Sequence, residues 1–230
     1  ADFAVGNGLQ AGIINFPLSK INRASQLTIE VGLAGTSYRN EWKIWVYPDE
    51  PVTMNPDIMV TTNVDSAMTA LEQGRNVLLC AHPDRLNGVP GKFVPVFWSP
   101  IHFPDQPGTM GLLIKNDHAA LRDFPTDQHT DWQWWDLVTK SKSLILKDIP
   151  EQAIIIRVSD NFVRNQPLSV LFEGKVGKGK LLVCSIDLNS DVEKRIAARQ
   201  LKISLLNYMG SQDFTPVVPL NEEVIRRFFK

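Results

Sequence analysis

Ile58-Met-Val-Thr-Thr-Asn-Val-Asp-Ser-Ala-Met-Thr-Ala-Leu-Glu-Gln-Gly-Arg-Asn-Val-Leu-Leu-Cys-Ala81 sets the fold class. Ile58-Met-Val-Thr61 reads as a short strand and residues 64–73 as a helix, with Gly74 suited to the C-terminal cap. Asn76-Val-Leu-Leu-Cys-Ala81 follows as a continuous apolar strand. Strand, helix and strand make a βαβ unit, and an unbroken apolar strand needs cover on both faces. The expectation is an α/β domain with a mainly parallel sheet and helices on both sides.

Upstream of Pro48-Asp-Glu-Pro51 and Asn55-Pro56 the pattern differs. Leu27-Thr-Ile-Glu-Val-Gly-Leu33 alternates as a half-buried strand does. Gly35-Thr-Ser-Tyr-Arg-Asn40 supplies turn chemistry, and Trp42-Lys-Ile-Trp-Val-Tyr47 is a second strand. Ile13-Ile-Asn-Phe16 reads as a short third. So few strands cannot bury both faces of a sandwich. They lean on the following domain or pair with strands outside the chain. The division predicted is a β segment over 1–50, an α/β domain over 51–212 and a C-terminal tail over 213–230.

Downstream, Met110-Gly-Leu-Leu-Ile114, Ser143-Leu-Ile-Leu146 and Ile154-Ile-Ile-Arg-Val158 read as strands. Asn116 or Asp117 can cap a short helix through Arg122. Leu168-Ser-Val-Leu-Phe-Glu173 and Lys180-Leu-Leu-Val-Cys-Ser185 flank Gly174-Lys-Val-Gly-Lys-Gly179, which is a hairpin signature and lacks the P-loop pattern. Residues 191–209 form the clearest helix, with Ile196, Leu201, Ile203, Leu205 and Leu206 on its apolar side. Between His82 and Thr109 lies a long Pro- and Gly-rich connection holding Phe97-Trp98.

The net charge of −1 and the lack of a basic run argue against a nucleic-acid surface. No apolar run approaches the roughly 18–20 residues that span a bilayer. Cys80 and Cys184 sit in apolar strand patterns and read as buried and unpaired. His82, His102, His118 and His129 show no metal-ligand spacing, so no metal is expected, and no cofactor is assigned. The chain starts at Ala1 with no signal region, and reads as a processed product or a piece of something longer.

Phe124-Pro-Thr-Asp-Gln-His-Thr-Asp-Trp-Gln-Trp-Trp-Asp-Leu137 holds three of the six tryptophans. Thr126 or Asp127 can cap a helix running through Val138, on which Trp132 and Trp135 share a face and Trp134 points elsewhere. One use is to stack a sugar face, with Asp127, His129, Asp131 and Asp136 bonding its hydroxyls. The other is a helix wedged into the core. This segment and the 82–109 connection flank the strand at Met110, so Phe97-Trp98, His102 and residues 128–135 are expected to converge at its carboxyl edge. The candidate ligand-binding residues are Trp98, His102, Asp127, His129, Asp131, Trp132 and Trp135. No catalytic residue is assigned.

A family resemblance rests on Phe16-Pro-Leu-Ser19, Asn40-Glu-Trp-Lys-Ile-Trp-Val-Tyr-Pro48, Phe97-Trp-Ser-Pro100, Met110-Gly-Leu-Leu113, His118 to Pro125, His129-Thr-Asp-Trp-Gln-Trp-Trp135 and Gly177-Lys-Gly-Lys-Leu-Leu-Val-Cys-Ser-Ile-Asp187. In this order they resemble the C-terminal region of family 2, β-galactosidase-like glycoside hydrolases of Bacteroidetes. The resemblance implies that the first 50 residues end a β-sandwich module. It also implies that residues from about 51 are similar to class I glutamine amidotransferase-like domains, with their flavodoxin-like sheet. Active amidotransferases carry a cysteine on a strand–helix elbow and a His-Pro-Glu pair after a late strand. Here His82-Pro-Asp84 follows an early strand, and Ser185-Ile-Asp187 follows the late one with no histidine. The resemblance thus implies a relict without amidotransferase activity.

A (β/α)₈ catalytic barrel needs about 200–250 residues of its own, which leaves no room for one here. The expected function is a non-catalytic accessory module of a periplasmic or extracellular glycoside hydrolase. Its implied partners are an oligosaccharide, the parent's catalytic domain and further copies of the chain. The competing expectations are a stand-alone hydrolase using a cleft around Trp98 and His129, and a purely structural oligomerisation module. Exposure of Cys80 favours the hydrolase, and an open aromatic cleft favours glycan contact.

Overall fold

The computed structural model of the chain describes residues 5–10, 12–93, 101–103 and 109–230. Strands β1 (Ser25–Gly32) and β2 (Arg39–Val46) pair antiparallel from Ser25↔Val46 to Gly32↔Arg39, as a sheet of their own. Leu33 N–H closes the turn on Tyr38 O at 3.0 Å. Residues 12–17 form no strand, so the expected third strand is absent. The hairpin leans on the body through its base. Tyr47 stacks on Phe124 at 6.1 Å, and Lys43 Nζ donates to Asp127 Oδ2 at 2.6 Å. Its far half, with Val31, Tyr38 and Trp42, stands in solvent.

The body begins with β3 (Ile58–Thr61), α1 (Val64–Glu72) and β4 (Asn76–Leu79), the βαβ unit of the sequence. Asn63 Oδ1 caps α1 by accepting Ser66 N–H at 2.9 Å, and Gly74 at φ 83° turns the chain out of it. There follow β5 (Val89–Pro90), β6 (Thr109–Ile114), α2 (Trp134–Thr139), β7 (Lys142–Ile145), β8 (Ile154–Asp160), β9 (Leu168–Val176) and β10 (Gly179–Cys184). Helices α3 (Ile196–Met209) and α4 (Glu222–Arg226) complete the chain.

The main sheet runs β3-β4-β10-β9, then continues from β9 through β8 to β6 and through β7 to β5. It is a mixed sheet. β3 with β4 and β4 with β10 are parallel, and every other described pair is antiparallel. The mainly parallel sheet expected from the first strands therefore holds only across β3-β4-β10. The links 161–167 and 177–178 are too short for a parallel crossover, which takes a dozen residues or more, so β8-β9 and β9-β10 return antiparallel.

Alternate side chains divide between two cores. Leu78, Cys80, Leu182 and Cys184 pack with α2 and α3, while Leu79, Val183 and Leu181 pack with α1 and α4. Helices thus cover both faces of the sheet. Residues 213–230 are tied down: Leu220 N–H reaches Lys175 O at 2.7 Å, Ile225 is fully buried, and Phe228 meets Phe172 edge-on at 5.9 Å.

Two expected helices are shorter. Between Asn116 and Arg122 only a 3₁₀ turn forms, Ala119–Leu121, with His118 Nδ1 accepting Ala120 N–H at 3.2 Å. Asp191 sits at φ 50° and Arg195 at φ −97°, ψ 73°, both outside helical space, so α3 starts only at Ile196.

Candidate functional site

The tryptophan segment is built on the outer edge of β6. Ile114 N–H donates to Gln128 O at 2.9 Å, and Leu112 N–H to Thr130 Oγ1 at 2.7 Å. Residues 128–130 therefore run extended beside the strand, where a helix capped at Thr126 or Asp127 was expected. Asp131 then turns the chain, its Oδ1 accepting Gln133 N–H at 3.1 Å and its Oδ2 accepting Gln133 Nε2 at 3.2 Å. Trp134 N–H reaches Asp131 O at 3.1 Å and α2 begins. Gln133 anchors the turn from behind, donating to Pro125 O at 2.9 Å and accepting the Tyr47 hydroxyl proton. Burial pushes the Tyr47 hydroxyl well above its ordinary pKa, with Asp131 nearby adding to it, so the group stays a donor.

This turn sends neighbouring indoles in opposite directions. Trp134 is fully buried, edge-on to Phe124 at 5.2 Å, with Nε1 donating to Thr126 Oγ1 at 2.8 Å. Trp132 is 74% exposed and Trp135 55% exposed. Trp132 lies 5.4 Å from Phe93, at 37° between the rings, over a cleft of about 290 Å³. Lys92, Thr109, Thr130 and Asp131 line it with polar groups, and Met110, Gly111, Leu112, Val138 and Val158 make its apolar floor. The Asp131 carboxyl is half-buried. Burial raises its pKa above the ordinary carboxylate value, Asp127 adds to the rise, and the Gln133 hydrogen bonds oppose it.

Asp131 and Trp132 are thus the sequence-predicted residues that the structure places in the cleft. Trp98 lies outside the described residues. His102 is exposed and lines no part of the cleft. His129 is exposed, with Nδ1 3.2 Å from Thr130 O, and Trp135 lies outside the lining. Asp127 pairs with Lys43, and Asp136 with Arg195 Nε at 2.6 Å and Lys140 at 3.2 Å, and neither carboxylate lines the cleft. Phe93, Lys92 and Thr109 were not foreseen. Phe93 does stand in the aromatic-bearing connection that the sequence singled out.

Gly91 sets Phe93 in place. Its N–H donates to Ser141 O at 3.1 Å, and a Cβ there would overlap Val138 O and Ser141 Oγ. Gly91→Ala is expected to cost about 1–3 kcal/mol by overpacking and to loosen the Phe93 wall. Urea unfolding checks the first effect and the Trp132 contribution to fluorescence the second.

A second polar cluster caps the carboxyl ends of β4 and β10. Asp187 Oδ1 accepts the N–H groups of Asn189 and Ser190, each at 3.0 Å. Arg195 Nη1 donates to Asp187 O at 2.8 Å and Ser190 O at 3.1 Å. His82 Nε2 lies 3.9 Å from Asp187 Oδ2. Cys80 is 1% exposed, and burial raises its thiol pKa. Asn189 Nδ2 covers it, donating to Cys80 O at 3.0 Å. Exposure of Cys80 was to mark a cysteine hydrolase, and the thiol is shut in. Among the described residues no group of three or more His, Cys, Asp or Glu side chains is arranged to hold a metal ion, and no helix is long and apolar enough to cross a membrane.

The fold and cleft define a mixed α/β domain carrying a separate β-hairpin, with one open aromatic face. Residues 59–230 match the family described as Domain of unknown function (DUF8487), and the chain belongs to that family. Residues 1–48 match a second, described as Domain of unknown function (DUF8488). Comparison with curated proteins finds no match.

Proposed function

We propose that this chain is a non-catalytic accessory module of a glycoside hydrolase and that it holds glycan in the Phe93–Trp132 cleft. The observation that carries the reading is Trp132, an indole 74% exposed beside a half-buried carboxyl. A flat apolar ring next to fixed acceptors suits a sugar, whose C–H face lies on the ring while its hydroxyls bond Asp131 and Thr130. The volume of about 290 Å³ falls just under the range of small-molecule sites, roughly 300–1,000 Å³, and suits a single sugar residue of a longer chain.

Glycoside hydrolysis takes two carboxyl groups roughly 5–10 Å apart. Asp131 is the one carboxyl among the described lining residues, and Asp127 and Asp136 lie outside that lining, paired with Lys43 and Arg195. That favours binding over turnover. The sequence resemblance supplies the parent, a β-galactosidase-like enzyme acting in the periplasm or outside the cell. On this reading β3-β4-β10 is what remains of an amidotransferase-like parallel sheet. The hairpin is then the end of a sandwich whose other strands belong to the parent, and its exposed Val31, Tyr38 and Trp42 are the surface for that assembly.

Calorimetric titration with galactosides and plant-glycan oligosaccharides tests the proposal. Binding is expected with wild type. Trp132→Ala is expected to weaken it at least about tenfold, equivalent to 1.4 kcal/mol. No binding to any glycan in the panel, or equal affinity in the variant, would overturn the glycan reading.

A further inference from the structure

We infer that Cys80 and Cys184 form a dithiol modification site, which takes a small organic disulfide and closes to an intrachain cross-link between β4 and β10. The sheet register carries the inference. β4 and β10 pair in parallel up to Leu79↔Val183, and the next residue on each strand is a cysteine. Cys80 follows the last residue of β4 and is still tied to the sheet, its N–H donating to Thr61 O of β3 at 3.0 Å, and Cys184 pairs with Leu171 of β9. Residues one rung on in a ladder have Cα atoms about 4.8 Å apart, within the roughly 4.4–6.8 Å window that a disulfide spans.

The side chains also share a face. Leu78 and Leu182 pack with α3, Leu79 and Val183 pack with α1, and Cys80 and Cys184 return to the α3 side. Both thiols are free and buried in one core. Cys80 Sγ has Asn189 Nδ2 at 3.5 Å, and Cys184 Sγ faces Ile186 O at 3.9 Å. Both covering groups belong to the segment 185–195, which must lift to admit a reagent. Burial raises both thiol pKa values, so the closed form reacts slowly.

The chemistry balances without a metal or oxygen. One cysteine thiolate attacks a sulfur of oxidised glutathione, forming a mixed disulfide and releasing one glutathione thiolate. The second cysteine attacks the protein sulfur of that mixed disulfide and expels the second glutathione. Two thiol protons leave the protein, and two electrons pass to the glutathione sulfurs.

The test is incubation of the native, fully reduced chain with excess oxidised glutathione, once in buffer and once in urea just below the unfolding transition. Acid quenching, unfolding and alkylation of remaining thiols follow, then intact mass and peptide mapping. The expected result is loss of both alkylatable thiols, a Cys80–Cys184 linked peptide with no glutathione retained, and an unchanged near-ultraviolet dichroism spectrum. Thiols that stay free under both conditions, glutathione retained on either cysteine, or loss of the native spectrum on closure would each overturn the inference.

Discussion

Replacing Trp134 by alanine is expected to lower the unfolding free energy by about 3–5 kcal/mol, whereas replacing Trp132, two residues away, moves it by no more than about 0.5 kcal/mol. Trp134 is fully buried among Phe124, Leu137 and Val138, and its indole N–H is spent on Thr126 Oγ1 at 2.8 Å. Truncation opens a cavity where the segment, α2 and α3 meet. It also removes the donor that Thr126 Oγ1 accepts, leaving that hydroxyl only its own bond to Asp127 O. Trp132 is 74% exposed and has little packing to lose. Urea unfolding of both variants, followed by far-ultraviolet dichroism so that loss of a fluorophore does not distort the signal, separates them. Equal losses would show that Trp132 is a plug, and its place in a binding cleft would fall with that result.

The sequence distinguished these two indoles, though for a reason the structure replaces. Spacing on a helix put Trp132 and Trp135 on one side and Trp134 on the other. In the folded chain the helix starts only at Trp134, and the Asp131 turn does the sorting. Helical patterning over residues 126–133 loses because the outer edge of β6 needs acceptors for Leu112 and Ile114 N–H, and residues 128–130 provide them. That requirement comes from a strand about fifteen residues upstream and leaves no local signature.

Strand direction was hidden for a similar reason. Ile154, Ile155 and Ile156 are buried on both faces, as are Val170, Leu171 and Phe172, because helices cover both sides of an antiparallel region. Such strands read as continuous apolar runs whichever way they point. The βαβ start at Ile58 and the hairpin around Gly177 were legible because their signals are local: a capped helix and a glycine turn. The site was half legible. Its aromatic and acidic composition marks the segment, but Asp127 and Asp136 are paired with Lys43 and Arg195, 84 and 59 residues away in sequence. No local pattern reports such distant pairings.

Arg195→Ala is expected to cost about 3–5 kcal/mol at neutral pH, the range for breaking a buried ion pair from one side, and that cost should shrink in acid. The Arg195 side chain is 5% exposed and so is that of Asp187, with Nη1 and Oδ2 3.7 Å apart, while Nε bonds Asp136 Oδ2 at 2.6 Å. Burial by itself would raise the Asp187 carboxyl. The N–H groups of Ser190 and Asn189, together with Arg195, outweigh it and hold the pKa below the ordinary carboxylate value. A carboxyl depressed by folding contributes stability that is present above its unfolded pKa, about 3.9, and is lost as pH falls through the folded value. Removing Arg195 leaves Asp187 buried with its amide donors but without its cation, so the variant is worst where that carboxyl must be charged. Below about pH 4, protonation relieves the variant more than wild type, and the two unfolding curves should converge. Arg195→Lys should recover only part of the loss, because an ammonium cannot hold Asp136, Asp187 O and Ser190 O together as the guanidinium fork does. Urea unfolding at pH 7 and at about pH 3 is the measurement. A loss that is the same at both would mean that Arg195 holds the carboxyl edge of β10 to α3 by packing and backbone bonds, and that its charge is incidental.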